Sequence, residues 1–274
     1  MIDKQQVKIH FSKNASSYDY YAKVQKLMAH TLIDFILKEG KIVSSPKSIL
    51  EIGCGTGYLT NLLTELFPNS HITAVDIAPG MISKMKSKLV SENIDFICGD
   101  IEEIKLDNTY DLIISNATFQ WFNNTSATIK KLYSALNPKG ILCFSTFGNH
   151  TFFELRQCFN MITTEMCIND TFQPSQHFYT LEDLYKLCTS ASKLGLSQCK
   201  SSIYFKEILQ PEHFNSCKDF FLSIKKVGAN NSNKSKRCTS PLFIKKVMDY
   251  YDKTFKENNK VKATYHCIFV NMIK

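Results

Sequence analysis

Ser48-Ile49-Leu50-Glu51-Ile52-Gly53-Cys54-Gly55-Thr56-Gly57, SILEIGCGTG, decides how the rest of the chain is read. Five residues of strand-forming type run into three alternating glycines, and TGYLTNLLTELF follows with helical spacing. Strand, glycine turn and helix make the first half of a βαβ unit. Glycines there let the backbone turn sharply and come close to a ligand, although any tight βα turn favours them, so context carries the weight.

The context extends downstream in a regular rhythm. HITAVDI, IDFICGD, YDLIISN and GILCFSTFG read as short apolar strands, and GMISKMKSKLVSE and SATIKKLYSALNP as amphipathic helices between them. This alternation predicts an α/β fold: a Rossmann-like, doubly wound, mostly parallel sheet of seven strands. After Gly148 the rhythm breaks. Helical stretches over 151–166 and 181–192 lead to an alternating strand, SIYFKEIL, at 202–209. A polar, lysine-rich helical region follows over 211–259, interrupted by NNSNKSKRCTS, and the run ATYHCIFVNMI completes the pattern. These last two strands should finish the sheet, with the helices between them forming a cap. Upstream, FSKNASSYDYYA is a polar start to a helix over 24–37, and 40–47 breaks it. We expect a leader (1–47) packing over the ligand site, a ligand-binding core (48–148), and the remaining strands plus cap (149–274).

Composition narrows the function classes. At 274 residues with 44% apolar and 21% charged residues, the chain can build a real core. Its net charge of +8 is almost wholly lysine, Arg156 and Arg237 being the only arginines, which supports nucleic-acid recognition only weakly and suits attraction of an acidic protein or an anionic substrate equally well. Ten cysteines without a C-x-x-C pair point to reduced thiols in the cytosol rather than to zinc or a disulfide scaffold. No apolar run is long enough for a membrane span.

The candidate ligand residues fall at successive strand ends, where open α/β sheets bind their ligands. Asp76 ends the second strand, where a carboxylate can accept from both hydroxyls of a ribose, and Asp100 ends the third. Each alone could be a helix cap or turn residue. Asn116 continues the series at the end of the fourth strand, inside SNATFQWF, which also holds the single tryptophan, Trp121.

E-x-G-x-G-x-G, with Glu51 just before the glycines, is not the dinucleotide pattern G-x-G-x-x-G. Over 48–148 it resembles the class I S-adenosylmethionine-dependent methyltransferases. The resemblance implies S-adenosyl-L-methionine as cofactor, with Gly53, Gly55 and the Cys54 backbone beside its methionine part, next to Glu51. It further implies Asp76 on the ribose, Ile77 and Met81 beside the adenosine, and Asp100 and Ile101 framing the adenine.

The flanks resemble one branch of that superfamily. FSKNASSYDYYA followed by Val24-Gln25, SNATFQW, FSTFGNHTFFELR and LSIKKVGAN are similar to segments of the malonyl-acyl-carrier-protein O-methyltransferases of the biotin pathway. Trans-aconitate methyltransferases share the A-x-x-Q-W element. The resemblance implies a malonyl thioester on acyl carrier protein as acceptor, and a methyl ester that enters pimeloyl synthesis. Such a carboxylate is already ionised at neutral pH, since carboxyl groups titrate near 4, so no general base is needed. His10 and His150 read as ordinary surface or satisfied residues.

What the site needs is a grip on the acceptor carboxylate. Arg156 is the first candidate, because a guanidinium matches a carboxylate in bidentate fashion, and Tyr18 and Gln120 can add neutral donors. Phe119, Trp121 and Phe122 are expected to wall the pocket. Lys225, Lys226, Lys234, Lys236, Lys245 and Lys246 form a basic cap on which an acidic carrier protein could dock. The alternatives are O-methylation of a free dicarboxylate such as trans-aconitate, a non-catalytic binding protein, and nucleic-acid methylation. The last is disfavoured because no D/N-P-P-Y motif follows the fourth strand.

Overall fold

Three helices precede the sheet in the structure, a computed structural model describing residues 1–39, 45–89, 91–168, 176, 178–192, 202–229 and 240–274. Part of the predicted 40–47 break and the 230–239 part of the basic loop, with Lys234, Lys236 and Arg237, lie outside the described residues. Helix α1 (Lys4–Asn14) starts at Asp3, whose carboxylate accepts from the Gln5 and Gln6 N–H groups, satisfying donors that a first turn leaves free. A single turn, α2 (Tyr18–Tyr21), leads into α3 (Lys23–Glu39). Val24, Met28, Ala29, Leu32, Phe35 and Ile36 of α3 are buried against the sheet, whereas Leu27 stays exposed.

The sheet is built from β1 (Ser48–Ile52), α4 (Tyr58–Leu66), β2 (His71–Asp76), α5 (Pro79–Lys86), β3 (Ile94–Cys98), β4 (Tyr110–Ser115), α6 (Thr125–Ser134) and β5 (Leu136–Phe147). Then come α7 (Phe153–Glu165), α8 (Leu181–Ser192), β6 (Ser202–Phe214), α9 (Cys217–Lys226), α10 (Pro241–Thr254), β7 (Lys256–Glu257) and β8 (Lys260–Ile273). The strand order is β3-β2-β1-β4-β5-β8-β6. The first five strands are parallel, β8 is antiparallel to both its neighbours, and two-residue β7 pairs only with β8. The α/β, doubly wound sheet is therefore as predicted, with β7 added to its seven main strands.

Side chains alternate between two buried faces. Ile49, Ala74, Leu112 and Phe269 meet α3 and α4, whereas Leu50, Val75, Ile113 and Val270 meet α6 and α8. A separate core joins α7, α9 and α10, with Phe159, Phe220, Phe243 and Tyr251 at its centre. Predicted boundaries move at β5, which begins at Leu136 inside the expected helical stretch, and at β6, which continues through Pro211 to Phe214, where we expected helix from 211. The strand lies at the sheet edge, where a residue without an N–H costs no ladder bond if that side faces away from the partner strand.

Candidate active site

The three glycines after β1 form a loop whose shape depends on what approaches it. Gly53 has φ +69°, and a Cβ there would stand 2.0 Å from Thr118 Oγ1, so the segment after β4 can close on the loop only over glycine. Gly55 has φ +55° and faces free space. Its N–H donates to Asp76 Oδ2 at 2.9 Å and that of Ala78 to Oδ1 at 2.8 Å, so one carboxylate ties the β1 loop to the end of β2. Burial pushes the Asp76 carboxyl up to about 6, the two N–H bonds opposing it. Beneath the loop Glu51 is buried and accepts from the Thr60 hydroxyl at 2.6 Å. Burial drives its carboxyl up to about 8, against the Thr60 bond and aided by the charge of Asp76, so Glu51 is mostly protonated at neutral pH.

The loop borders an open cavity with about 670 Å³ of free space, solvent at its mouth included. Ile77, Met81 and Ile101 give it apolar walls, and Asp76, Asp100 and Asn116 its polar points. A side recess adds Glu51, Cys54, Thr56 and Asp19. The open space at Gly55, acceptors at the ends of β2 and β3 and an apolar slot between them fit an adenosine joined to an amino acid. The far wall comes from the leader: Lys4, Val7 and Phe11 of α1. Asp100 does not stand free in the cavity. Its oxygens lie 3.1 and 3.2 Å from Lys4 Nζ, and Oδ1 also accepts the Glu102 N–H at 3.0 Å.

A second cavity, with about 880 Å³ of free space, opens beside the first, and Phe11, Tyr18, Ala117 and Trp121 line both. Phe147, Phe178 and Tyr265 form its aromatic depth, and Ile224, Val227 and Ala229, at and beyond the end of α9, belong to its cap side. The Phe11 and Trp121 rings meet edge to face at 5.5 Å, part of the partition between the cavities. Burial, with the charges of Asp76 and Asp19 adding to it, pushes the Tyr18 phenol far above its ordinary value. Tyr18 is thus a donor and not a base at this junction.

Several expected site residues are placed otherwise. Arg156 is absent from the described wall of the second cavity. Its Nη1 donates to Thr151 O at 2.6 Å and its Nη2 to Asn149 O at 2.5 Å. The turn before α7, with Phe152 at φ +56°, leaves these carbonyls without helical partners, and the guanidinium takes them in place of a ligand. Gln120 lines the second cavity, yet its amide donates to Ala117 O at 2.5 Å and accepts from the Thr146 hydroxyl at 3.1 Å. Its amide therefore braces the segment after β4. Asn116 lines the first cavity while its amide spans Gln25 O (2.9 Å) and Ser145 Oγ (2.7 Å), pinning α3 to β5. Phe119 leaves the pocket wall altogether and stacks on Phe144 at 3.9 Å. Trp121 and Phe122 do line the first cavity.

Residues not singled out by sequence reasoning as site residues include Lys4, Phe11, Phe147 and Phe178. Phe11 and Phe147 lie within the quoted leader and post-β5 segments, so a signal was present. Lys4 had none, because its partners Asp100 and Glu102 are about a hundred residues away.

Residues 44–191 match the methyltransferase-domain family. The fold is similar to that of the YcgJ protein from Bacillus subtilis (TM-score 0.59, 14% identity, covering 89% of this chain and 98% of that one). It is also similar to the plantazolicin methyltransferase BamL in complex with a triazolic desmethylPZN analogue and SAH (TM-score 0.56, 17% identity, covering 99% and 95%). The malonyl-[acyl-carrier protein] O-methyltransferase of Priestia megaterium is 45% identical over 274 residues, covering 100% of this chain and 99% of the relative. That of Acetivibrio thermocellus is 45% identical, covering 100% and 95%. With the strand order, the glycine loop and the paired cavities, these full-length matches show that the chain belongs to the malonyl-[acyl-carrier protein] O-methyltransferase family of methyltransferases.

Proposed function

We propose that this protein methylates the free carboxylate of a malonyl thioester held on acyl carrier protein, giving a methyl ester that enters pimeloyl and biotin synthesis. The observation that carries this reading is the pair of cavities sharing Phe11, Tyr18, Ala117 and Trp121, in a chain 45% identical over its whole length to enzymes named for that reaction.

When bound, S-adenosyl-L-methionine supplies an electrophilic methyl group. The chain's residues do the rest by holding and orienting. Asp76 accepts from the ribose hydroxyls, Ile77, Met81 and Ile101 sandwich the base, Asp100 faces its polar edge, and Asn116 steadies the partition. Gly53, Gly55 and the Cys54 backbone leave room for the methionine end, above a neutral Glu51. Tyr18 donates a hydrogen bond from its phenol to the acceptor carboxylate and fixes its direction. That carboxylate is ionised in neutral solution, so no side chain need take its proton. Trp121, Phe147 and Phe178 keep water from the point of transfer. Arg156 and Gln120 act by bracing the walls.

We assign cofactor binding to 48–148 under the 1–47 leader, and acceptor binding to the cap and strands of 149–274 together with that leader. The carrier docks on the α9 side of the cap, where Lys225 is exposed and Lys226 half-buried beside the lip residues Ile224 and Val227. Lys246 is less available because it pairs with Glu165 at 2.6 Å. We place the protein in the cytosol on its ten cysteines without a C-x-x-C pair, and no helix among the described residues is long and apolar enough to cross a membrane.

The test supplies the cofactor with malonyl-carrier protein and, separately, trans-aconitate, and reads added methyl by mass. We expect methylation of the carrier-bound malonyl group; methyl transfer to trans-aconitate alone sinks the proposal. Charge reversal at Lys225 and Lys226 should raise KM for the carrier protein about tenfold at low salt, and less at high salt.

A further inference from the structure

Helix α1 forms one wall of the cofactor cavity, yet Val7 is its only buried residue. Phe11 adds a partly buried contact with the small cluster of Ala15, Ala78 and Met81, and beyond these two apolar anchors the helix is held by its polar contacts. Those contacts sit at its two ends. Toward the C-terminal end, Ser12 Oγ accepts the Gly80 N–H at 3.2 Å, and the backbones pass so closely that a Cβ on Gly80 would lie 2.5 Å from Ser12 O. At the other end Lys4 Nζ lies 2.6 Å from Glu102 Oε2 and 3.1 Å from Asp100 Oδ2, over the Phe122 ring, and Ile2 and Asn123 exchange two hydrogen bonds.

Glu102 is the hub of the second end. Besides Lys4 it accepts the Asn123 N–H at 2.9 Å and the Asn124 N–H at 2.6 Å, joining the loop that carries Asp100 and Ile101 to the segment that carries Trp121. One carboxylate thus connects the leader, the proposed adenine loop and the partition between the two cavities.

We propose that Lys4, through Glu102 and Asp100, is a positioning residue that latches α1 over the adenosine end of the site, so that exchange of the spent cofactor requires this ion pair to part while Ser12 and Gly80 act as the hinge. The inference rests on the cofactor assignment above, not on the identity of the acceptor.

Trp121, the single tryptophan, touches Phe11 of α1 and lines the cavity, so its fluorescence reports both closure and ligand release. S-adenosylhomocysteine dissociation is measured by stopped flow for the wild type, Lys4→Met and Lys4→Arg, between about 0.05 and about 0.5 M salt. The latch requires a wild-type off-rate that climbs with salt. It also requires an off-rate about tenfold higher in Lys4→Met with little salt dependence, and recovery in Lys4→Arg, as expected when charge and not bulk holds the contact. KM for the cofactor should rise in Lys4→Met and recover in Lys4→Arg. An off-rate and salt slope in Lys4→Met equal to wild type overturn the latch alone. A wild type that does not bind S-adenosylhomocysteine overturns the cofactor assignment and the latch with it.

Discussion

At the scale of single residues, two buried acids beneath one loop have been given different protonation states. Asp76 sits near about 6 because two N–H groups stabilise its charge, whereas Glu51, with one hydroxyl donor, is pushed to about 8. A carboxyl raised on folding contributes stability below its ordinary value and loses it as the pH climbs through the folded one. Glu51 therefore destabilises the cofactor-free protein progressively between 4.5 and about 8, and Asp76 does so between 3.8 and about 6. Glu51→Gln keeps an acceptor for Thr60 and cannot ionise, so its melting temperature should fall less than that of the wild type between about pH 6 and about pH 8. Parallel melting curves for the two proteins are the contrary result. Tyr18 is the other residue with a defined state. On the proposed acceptor grip, Tyr18→Phe removes a charge-assisted hydrogen bond while keeping the ring in the partition, so kcat should drop about 10- to 100-fold with little change in cofactor affinity by calorimetry. An unchanged kcat would remove Tyr18 from the acceptor grip.

At the scale of elements, the strand-turn-helix rhythm from 48 to 148 was legible because each unit has its own local signal: period-two or solid apolar strands, period-3.6 helices, and glycine at the first crossing. The strand-end residues followed, since Gly53, Asp76, Asp100 and Asn116 are placed by the sheet itself. The side-chain partners were not legible. Arg156 and Gln120 have the chemistry of a carboxylate grip, but nearby backbone carbonyls compete for the same N–H groups, and no residue type reveals which partner wins. Helix α1 was obscured in another way: its polar surface reads as an irregular start because it covers the edge of a cavity and buries only Val7. The loop after β1 also makes a demand on the segment after β4. Gly53→Ala would put a methyl group against the Thr118 side chain and strain a positive φ, so it should destabilise the fold by about 1–3 kcal/mol in urea titration. The double change with Thr118→Ala should recover part of the loss, and no recovery would mean that backbone strain alone sets the cost.

At the scale of the whole molecule, the two cavities exist because three distant parts of the chain converge on the carboxyl ends of the parallel strands: the leader, the segment after β4, and the cap. Burial of β8 is central to that convergence, since its faces contribute Tyr265 and Phe269 to one core and Ile268 and Val270 to the other. A chain cut before Lys260 should therefore lose the antiparallel ladders to β5, β6 and β7 at once, and we expect it to lack a cooperative melt and to aggregate; a soluble fragment with a sharp transition would show that the five parallel strands suffice. The strand order also bears on how the protein is made. β6 precedes β8 in the chain but reaches the sheet only through it. During synthesis the nascent chain must hold an unpaired edge strand, with exposed Leu209 at its middle, until residues 260–273 clear the ribosome and slot between β5 and β6. The proline at 211 and the charged Lys206, Glu207 and Glu212 along that waiting strand are the kind of residues that discourage pairing with a neighbouring polypeptide in the interval.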